Sequence, residues 1–244
     1  MKARSDWKRA QAKEKIFHLL DVPEHSINKD WRDVRAKDAL AIRSRLLRYE
    51  SEPWNSKRVL EIGAGSLPHT AYWGGDLVFL EPSALDFIKA LHQDMRELGI
   101  DWTRYVAGVG ESLPFATSSV DIVVCHNVLD HCMGPATVLL EIHRVLRRGG
   151  LFYLGLNCYD QLGALALKLI RHLGLIEIEH PWHFTVEQID LLLGKSSVAI
   201  LERWVVSDWA TRRSEIGARR NPLRRLRLYL HAVPIFWGWV CRVC

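Results

Sequence analysis

The residues best able to do chemistry gather around one turn. An apolar run through Val59 and Leu60 closes on Glu61-Ile62, and Gly63-Ala64-Gly65 follows at once. A second acid, Glu81, stands about 20 positions downstream. Glycines at such a turn let the backbone bend sharply and approach a ligand where a Cβ would collide. An acid closing the next strand can accept hydrogen bonds from a ribose diol. The pattern suits the adenosine end of a cofactor, while Gly-x-Gly alone also marks ordinary turns.

Histidines supply the second set. His126 and His131 flank the residues after the apolar run 120–125, and His180 and His183 bracket an aromatic segment. Imidazole titrates near neutrality, so His131 and His183 are candidate general bases. Asp130 could orient His131, and Trp182 and Phe184 beside His183 could wall an acceptor pocket. The competing role for each is a partly buried, hydrogen-bonded histidine. The five cysteines are scattered, with Cys241-x-x-Cys244 the one redox-like spacing. A structural zinc site wants four ligands, so reduced thiols and no metal are expected.

These residues need a frame. From Lys57 onward, short β-rich runs alternate with helical patterns, which predicts a doubly wound α/β domain with a mostly parallel sheet. Strands are expected at 58–62, 77–80, 103–107, 120–125, 151–156 and 198–206, with a seventh at 235–243. Helices are expected from the Ser83 cap to about residue 98, closed by Gly99, and over 135–146, 164–173 and 186–193. Two N-terminal helices, 5–20 and 30–50, precede Ser51-Glu52-Pro53. This divides the chain into an N-terminal helical segment, 1–52, and a domain over 53–244 with a basic insertion at about 210–230. The strand ends carry Glu61-Ile62-Gly63, Glu81-Pro82, Gly108-Val109-Gly110-Glu111 and His126-Asn127. Open parallel sheets bind ligands there.

Composition narrows the class. Of 244 residues, 48% are hydrophobic and 25% charged, as in soluble globular proteins. The charged start is no secretory signal, and the apolar run 232–241 is too short to span a bilayer, so a cytoplasmic location is expected. The net charge of +5 is uneven: residues 1–50 and 203–227 are basic, and the rest is acidic. Within 212–227, Arg220, Arg224 and Arg227 share one helical face while Leu223, Leu226 and Leu230 share another. Such a helix can touch an anionic membrane surface, bind the phosphate of a phosphorylated or lipid-linked acceptor, or simply pack on its own domain.

The ordered segments VLEIGAGS, FLEPS, GVGESLPF, SSVDIVVCHNVLDH and EIHRVLRRGGLFYL resemble the class I S-adenosylmethionine-dependent methyltransferase family over residues 57–156, most closely its small-molecule branch. The resemblance implies a seven-stranded Rossmann-like sheet and S-adenosylmethionine as cofactor. It implies that Gly63, Ala64 and Gly65 turn beneath the methionine portion, with Glu61 orienting the strand end. Glu81 would bind the ribose hydroxyls, Pro82 would pack near the adenine, and Gly110 and Glu111 would form the adenine-side loop. Asn127 and Val128 would lie near the transferred methyl. Two positions depart from the pattern: Ser66-Leu67-Pro68 stands where a third glycine is usual, and Val109 where an acid is common.

A small-molecule acceptor methylated at oxygen is the expectation, since no Asn-Pro-Pro-Tyr-like motif for base or amide nitrogen follows the fourth strand. Three alternatives stand beside it. An RNA methyltransferase would use the basic flanks, yet no RNA-binding module is recognisable, so nucleic acid is not expected. An NAD(P)-dependent oxidoreductase shares the turn and the second acid but wants a third glycine. A non-catalytic scaffold would keep only the fold. The oligomeric state is not legible.

Overall fold

The computed structural model describes residues 2–16, 19, 29–172, 180–207 and 234–244, so the Arg-rich segment 212–227 lies outside the described residues. The elements run α1 (Lys2–Ile16), α2 (Lys29–Leu46), β1 (Arg58–Ile62), β2 (Asp76–Glu81), α3 (Ala84–Glu97), β3 (Tyr105–Ala107), β4 (Val120–His126), α4 (Pro135–Val145), β5 (Leu146–Cys158), α5 (Gln161–His172), α6 (Val186–Lys195), β6 (Val198–Ser207) and β7 (Ile235–Val243). The sheet order is β3-β2-β1-β4-β5-β7-β6. Pairing is parallel out to β5, and β7 runs antiparallel between β5 and β6. The expected seven-stranded, mostly parallel α/β sheet is the observed one.

The inner strands are apolar on both faces, as a sheet covered twice requires. Leu60, Ile62, Val123, Cys125, Phe152 and Leu154 face α4 and α6. Val59, Ile122, Val124 and Tyr153 face α2 and α3. Alternation along each strand assigns neighbours to opposite cores. The second core includes Ala39, Ile42 and Leu46, so α2 is part of the sheet's packing. Arg45 fastens it further, pairing with Glu202 and lying 4.0 Å over the Trp204 ring on β6. No described helix is long and apolar enough to cross a membrane.

Local chemistry sets the boundaries. The helix after β2 ends in a Schellman pattern: Gly99 (φ 70°) donates to Arg96 O, and Ile100 N donates to Met95 O at 2.8 Å. At its start the expected side-chain cap is absent, because Ser83 makes none and instead donates its N–H to Glu81 Oε1 at 3.0 Å. The third strand begins at Tyr105 because residues 102–104 form a 3₁₀ turn held by Asp101, which accepts from Thr103 N. β5 starts at Leu146, opposite Val120, and crosses a bulge before its main run.

The segment between β1 and β2 departs most from an ideal βαβ unit. Residues 63–75 form turns instead of a helix. Pro68 disfavours the α conformation at Leu67, and Gly74-Gly75 both take positive φ. Strand order reverses between β1 and β4, so the crevice of the fold opens above this helix-free turn.

Candidate functional site

The carboxyl ends of β1, β2 and β4 open into a cavity of about 720 Å³, within the roughly 300–1,000 Å³ of small-molecule sites. Gly63 and Gly65 line it with φ of 65° and 60°. Position 63 has no room for a side chain, since a Cβ would fall 2.4 Å from Val128 Cγ2. Gly65 is anchored twice: its N–H donates to Glu81 Oε2 at 3.1 Å, and its carbonyl accepts from Tyr105 Oη at 2.9 Å. The Glu81 carboxylate therefore holds Gly65 with one oxygen and Ser83 with the other. A carboxylate offers about four acceptor sites, so two backbone N–H groups do not exhaust it.

Farther along the wall lie Pro82, Val109 and Gly110, and the loop after β4 presents Asn127 and Val128. Asn127 has a φ of 57°, and its Oδ1 accepts from Asn157 Nδ2 at 2.8 Å, which fixes the strand end. Glu111 borders the cavity, but its Oε1 accepts from Met133 N at 2.6 Å and Gly134 N at 3.0 Å. It clamps the loop that leads into α4. All the residues expected at the cofactor line this cavity except one.

That exception is Glu61. The residue is 1% exposed and off the cavity wall. Oε1 accepts from His69 N (3.0 Å) and faces His69 Nδ1 (3.3 Å), while Oε2 accepts from Thr70 N (2.8 Å) and Thr70 Oγ1 (2.7 Å). Burial raises its pKa, and these donors oppose the rise. Arg35 Nη1 lies 2.6 Å from His69 Nε2. Arginine only donates, so Nε2 must accept and Nδ1–H must point to Glu61. The acid thus anchors the turn that replaces a helix and, unlike the other expected residues, does not line the cavity.

Of the two candidate bases, His131 lines the cavity and His183 does not. Tyr159 N donates to Phe184 O at 2.8 Å, which docks the aromatic segment on the end of β5 and sets His183 against the Tyr159 ring, 5.3 Å between centroids. The same segment brings His180 to the loop after β4. His180 Nδ1 is 2.8 Å from Asp130 Oδ2, and the His131 and His180 rings are 4.3 Å apart. Burial alone would raise the Asp130 pKa; the His180 hydrogen bond and the two imidazoles outweigh it and hold the carboxyl below its ordinary range.

Several wall residues escaped the sequence reading. Arg35 and Asp38 enter from α2, three residues apart and hence on one helical face, and His69 comes from the turn. His126, Tyr153 and Trp204 complete that end. His126 Nδ1 is 3.2 Å from Tyr153 Oη, and its ring lies 4.1 Å from His69 and 4.8 Å from Phe236. Burial holds both His69 and His126 well below the usual imidazole pKa, so both are neutral at pH 7. His126 already stands among the strand-end residues that the sequence singles out; for the others the chain offers only the α2 spacing as a signal.

Known proteins place the chain. Residues 60–154 match a family described as a methyltransferase domain. A thiol S-methyltransferase, TMT1B from Rattus norvegicus, is 32% identical over 117 residues, covering 46% of this chain and 48% of its own length. The uncharacterized methyltransferase YcgJ of Bacillus subtilis is 32% identical over 129 residues, 52% of this chain and 49% of its own. The alignments thus span about half the length of these curated relatives. Among solved structures, the [4+2]-cyclase SpnF superposes with a TM-score of 0.65 at 16% identity over 96% of both chains. The geranyl diphosphate C-methyltransferase of Streptomyces coelicolor, solved with Mg²⁺, geranyl diphosphate and S-adenosyl-L-homocysteine, gives 0.64 at 12% identity over 82% of this chain and 77% of its own. Those two likenesses show the fold. With the ordered motifs and the glycine turn inside the matched span, residues 60–154 carry a methyltransferase domain of the class I S-adenosylmethionine-dependent type.

Proposed function

We propose that this protein transfers a methyl group from S-adenosylmethionine to a protic heteroatom of a small-molecule acceptor. One observation carries the reading: a single cavity joins the turn of Gly63 and Gly65 and the Glu81 carboxylate to a histidine-rich end walled by Tyr153 and Trp204. The residues fit the cofactor. Glycine at 63 keeps the floor open, the Glu81 carboxylate has acceptor capacity for a ribose diol, and Pro82, Val109 and Gly110 offer an apolar slot for a purine. When bound, the cofactor supplies an electrophilic methyl on sulfur.

A dinucleotide fits less well. Its pyrophosphate calls for a helix N-terminus after β1. Here the corresponding residues form turns, and the N–H groups of His69 and Thr70 are spent on Glu61.

Methyl transfer is an in-line displacement, so positioning supplies much of the rate. An acceptor hydroxyl must also lose its proton. His126 is the better-placed base, because it closes β4 beside Asn127 and is neutral. In the tautomer that gives Nδ1–H to Tyr153, Nε2 is the acceptor. Oxygen is the favoured acceptor atom on this account. A thiol is the second reading, supported by the matches to thiol S-methyltransferases. A phosphorylated or lipid-linked acceptor, or a peripheral membrane contact, rests on the residues of 212–227 alone.

The test is calorimetric titration with S-adenosylmethionine and with NADH, followed by labelled-methyl transfer to small hydroxyl and thiol compounds. Heat with the sulfonium and none with NADH is expected. The fold also serves a [4+2]-cyclase, so a bound cofactor with no transfer to any acceptor in a broad extract screen would overturn the enzymatic reading.

A further inference from the structure

The loop after β4 and the aromatic segment before α6 meet at a cluster that the proposed methyl transfer does not need. Asp130 and His131 are 3% and 7% exposed, and His180 is partly exposed. One candidate ligand atom from each lies within 4.8 Å of the other two. His180 Nδ1 sits 2.8 Å from Asp130 Oδ2, and His131 Nε2 sits 3.9 Å from Asp130 Oδ1. The buried Asp130 Oδ1, the atom that faces His131 Nε2, makes no hydrogen bond in this structure. Buried polar atoms rarely go without a partner, so an orphaned carboxylate oxygen in such a cluster asks for one.

We propose that Asp130, His131 and His180 form a binding site for a divalent transition-metal ion at the edge of the cavity. Two imidazoles and one carboxylate are a ligand set that zinc and its first-row neighbours favour. Metal–ligand bonds of about 2.0–2.2 Å bring ligand atoms to roughly 3.3 Å of one another in a tetrahedral arrangement. The ligand atoms, now within 4.8 Å of one another, reach that spacing by rotation of the side chains. The frame around it is already fixed: Trp182 Nε1 donates to Cys132 O at 2.8 Å, and Trp182 N donates to Asp130 O at 3.3 Å. These bonds strap the His180 segment onto the loop that carries the other two ligands. Glu14 Oε2 of α1, 3.9 Å from His131 Nδ1, is placed to orient that ring from behind.

Three protein ligands leave a coordination position open. His131 is the member of the set that also lines the cavity, which puts the site beside the space an acceptor would enter. In the proposed methyl transfer, an acceptor oxygen or sulfur could occupy that position. The site itself stands without that role.

The experiment uses the full chain, stripped with a chelator and titrated with Zn²⁺ by calorimetry and with Co²⁺ by visible absorption, in the absence of methyl donor and acceptor. One equivalent of metal is expected, with affinity falling at least tenfold in His180→Ala and returning in His180→Cys, which restores a ligand. His92→Ala, on α3, is the control and should bind as the parent does. His180 is partly exposed, so its replacement leaves the core intact, and circular dichroism checks this. Absence of stoichiometric metal in the parent, or equal binding in parent and His180→Ala, would mean a hydrogen-bonded carboxylate–imidazole cluster only. Either result overturns the site and leaves the methyltransferase reading untouched.

Discussion

Replacing Glu61 with glutamine separates two roles for this acid. As a cofactor ligand it would govern affinity; as the anchor seen here it governs stability. Its two oxygens accept from His69 N, His69 Nδ1, Thr70 N and Thr70 Oγ1. A glutamine must turn its NH₂ to one of those pairs. Toward Thr70 the hydroxyl can rotate and accept, but Thr70 N–H then faces a donor. Toward His69 the ring could accept only by presenting Nε2–H to the Arg35 guanidinium, and His69 N–H would still be opposed. Either way one buried backbone N–H loses its acceptor, costing about 1–3 kcal/mol, and the surviving bonds lose their charge assistance, about 1 kcal/mol more. A total of about 2–4 kcal/mol lowers Tm by roughly 5–15 °C for a chain of this size. Differential scanning calorimetry reads that shift. Affinity for S-adenosylmethionine, measured well below Tm, should fall by less than about tenfold, or 1.4 kcal/mol, because Gly65 keeps its bonds to Glu81 and Tyr105. An unchanged Tm with a hundredfold loss of affinity would show that Glu61 touches the ligand after all.

Glu81→Gln should weaken S-adenosylmethionine binding by about tenfold to a hundredfold, the worth of a charge-assisted bond to a ribose hydroxyl; isothermal titration with an unaltered Kd would remove Glu81 from the site. Gly63→Ala places an L residue at φ 65° and a Cβ 2.4 Å from Val128 Cγ2, so about 1–2 kcal/mol of backbone strain adds to the clash. Val128→Ala in the same chain should recover the steric share and leave the backbone share; no recovery in urea denaturation or binding would contradict the geometry. His126→Gln should lower kcat by about 10²–10³ with the donor's Kd unchanged, and equal turnover would exclude it as the base. Stability should also drop as pH falls from 6.5 to 5.5. His69 and His126 have depressed pKa values in the fold, so the unfolded chain takes up protons that the folded one refuses. Each contributes a slope approaching about 1.4 kcal/mol per pH unit below 6.5. Equal or greater stability at pH 5.5 in urea melts would contradict their burial as neutral rings.

What the sequence made legible was local. The strands announced themselves by apolar runs, and their carboxyl ends by glycines and acids, because a covered parallel sheet imposes that pattern residue by residue. Gly63, Gly65 and Glu81 could be found for the same reason. Residues that depend on a distant partner could not. His180 meets Asp130 only because Phe184 and Trp182 dock the segment on β5 and the loop after β4. His183, beside the same aromatics in sequence, is turned away by that docking. Spacing along the chain says nothing of which neighbour the dock will face inward.

The missing third glycine shows how a local departure can carry a nonlocal consequence. With Leu67-Pro68 in its place, no helix packs behind the turn, and its backbone N–H groups need another acceptor. Glu61 becomes that acceptor and leaves the cavity wall to do so. Its carboxylate then fixes the His69 tautomer, and His69 in turn receives Arg35 from α2. One hydrogen-bonded line therefore runs from the turn beneath the proposed methyl donor to the helix that lines the acceptor end. The position of Arg35 in the cavity depends on the state of Glu61, more than 20 residues away in sequence. Glu61→Gln should therefore disturb acceptor KM more than donor Kd, a split that a ligand-contacting acid beneath the methionine would reverse.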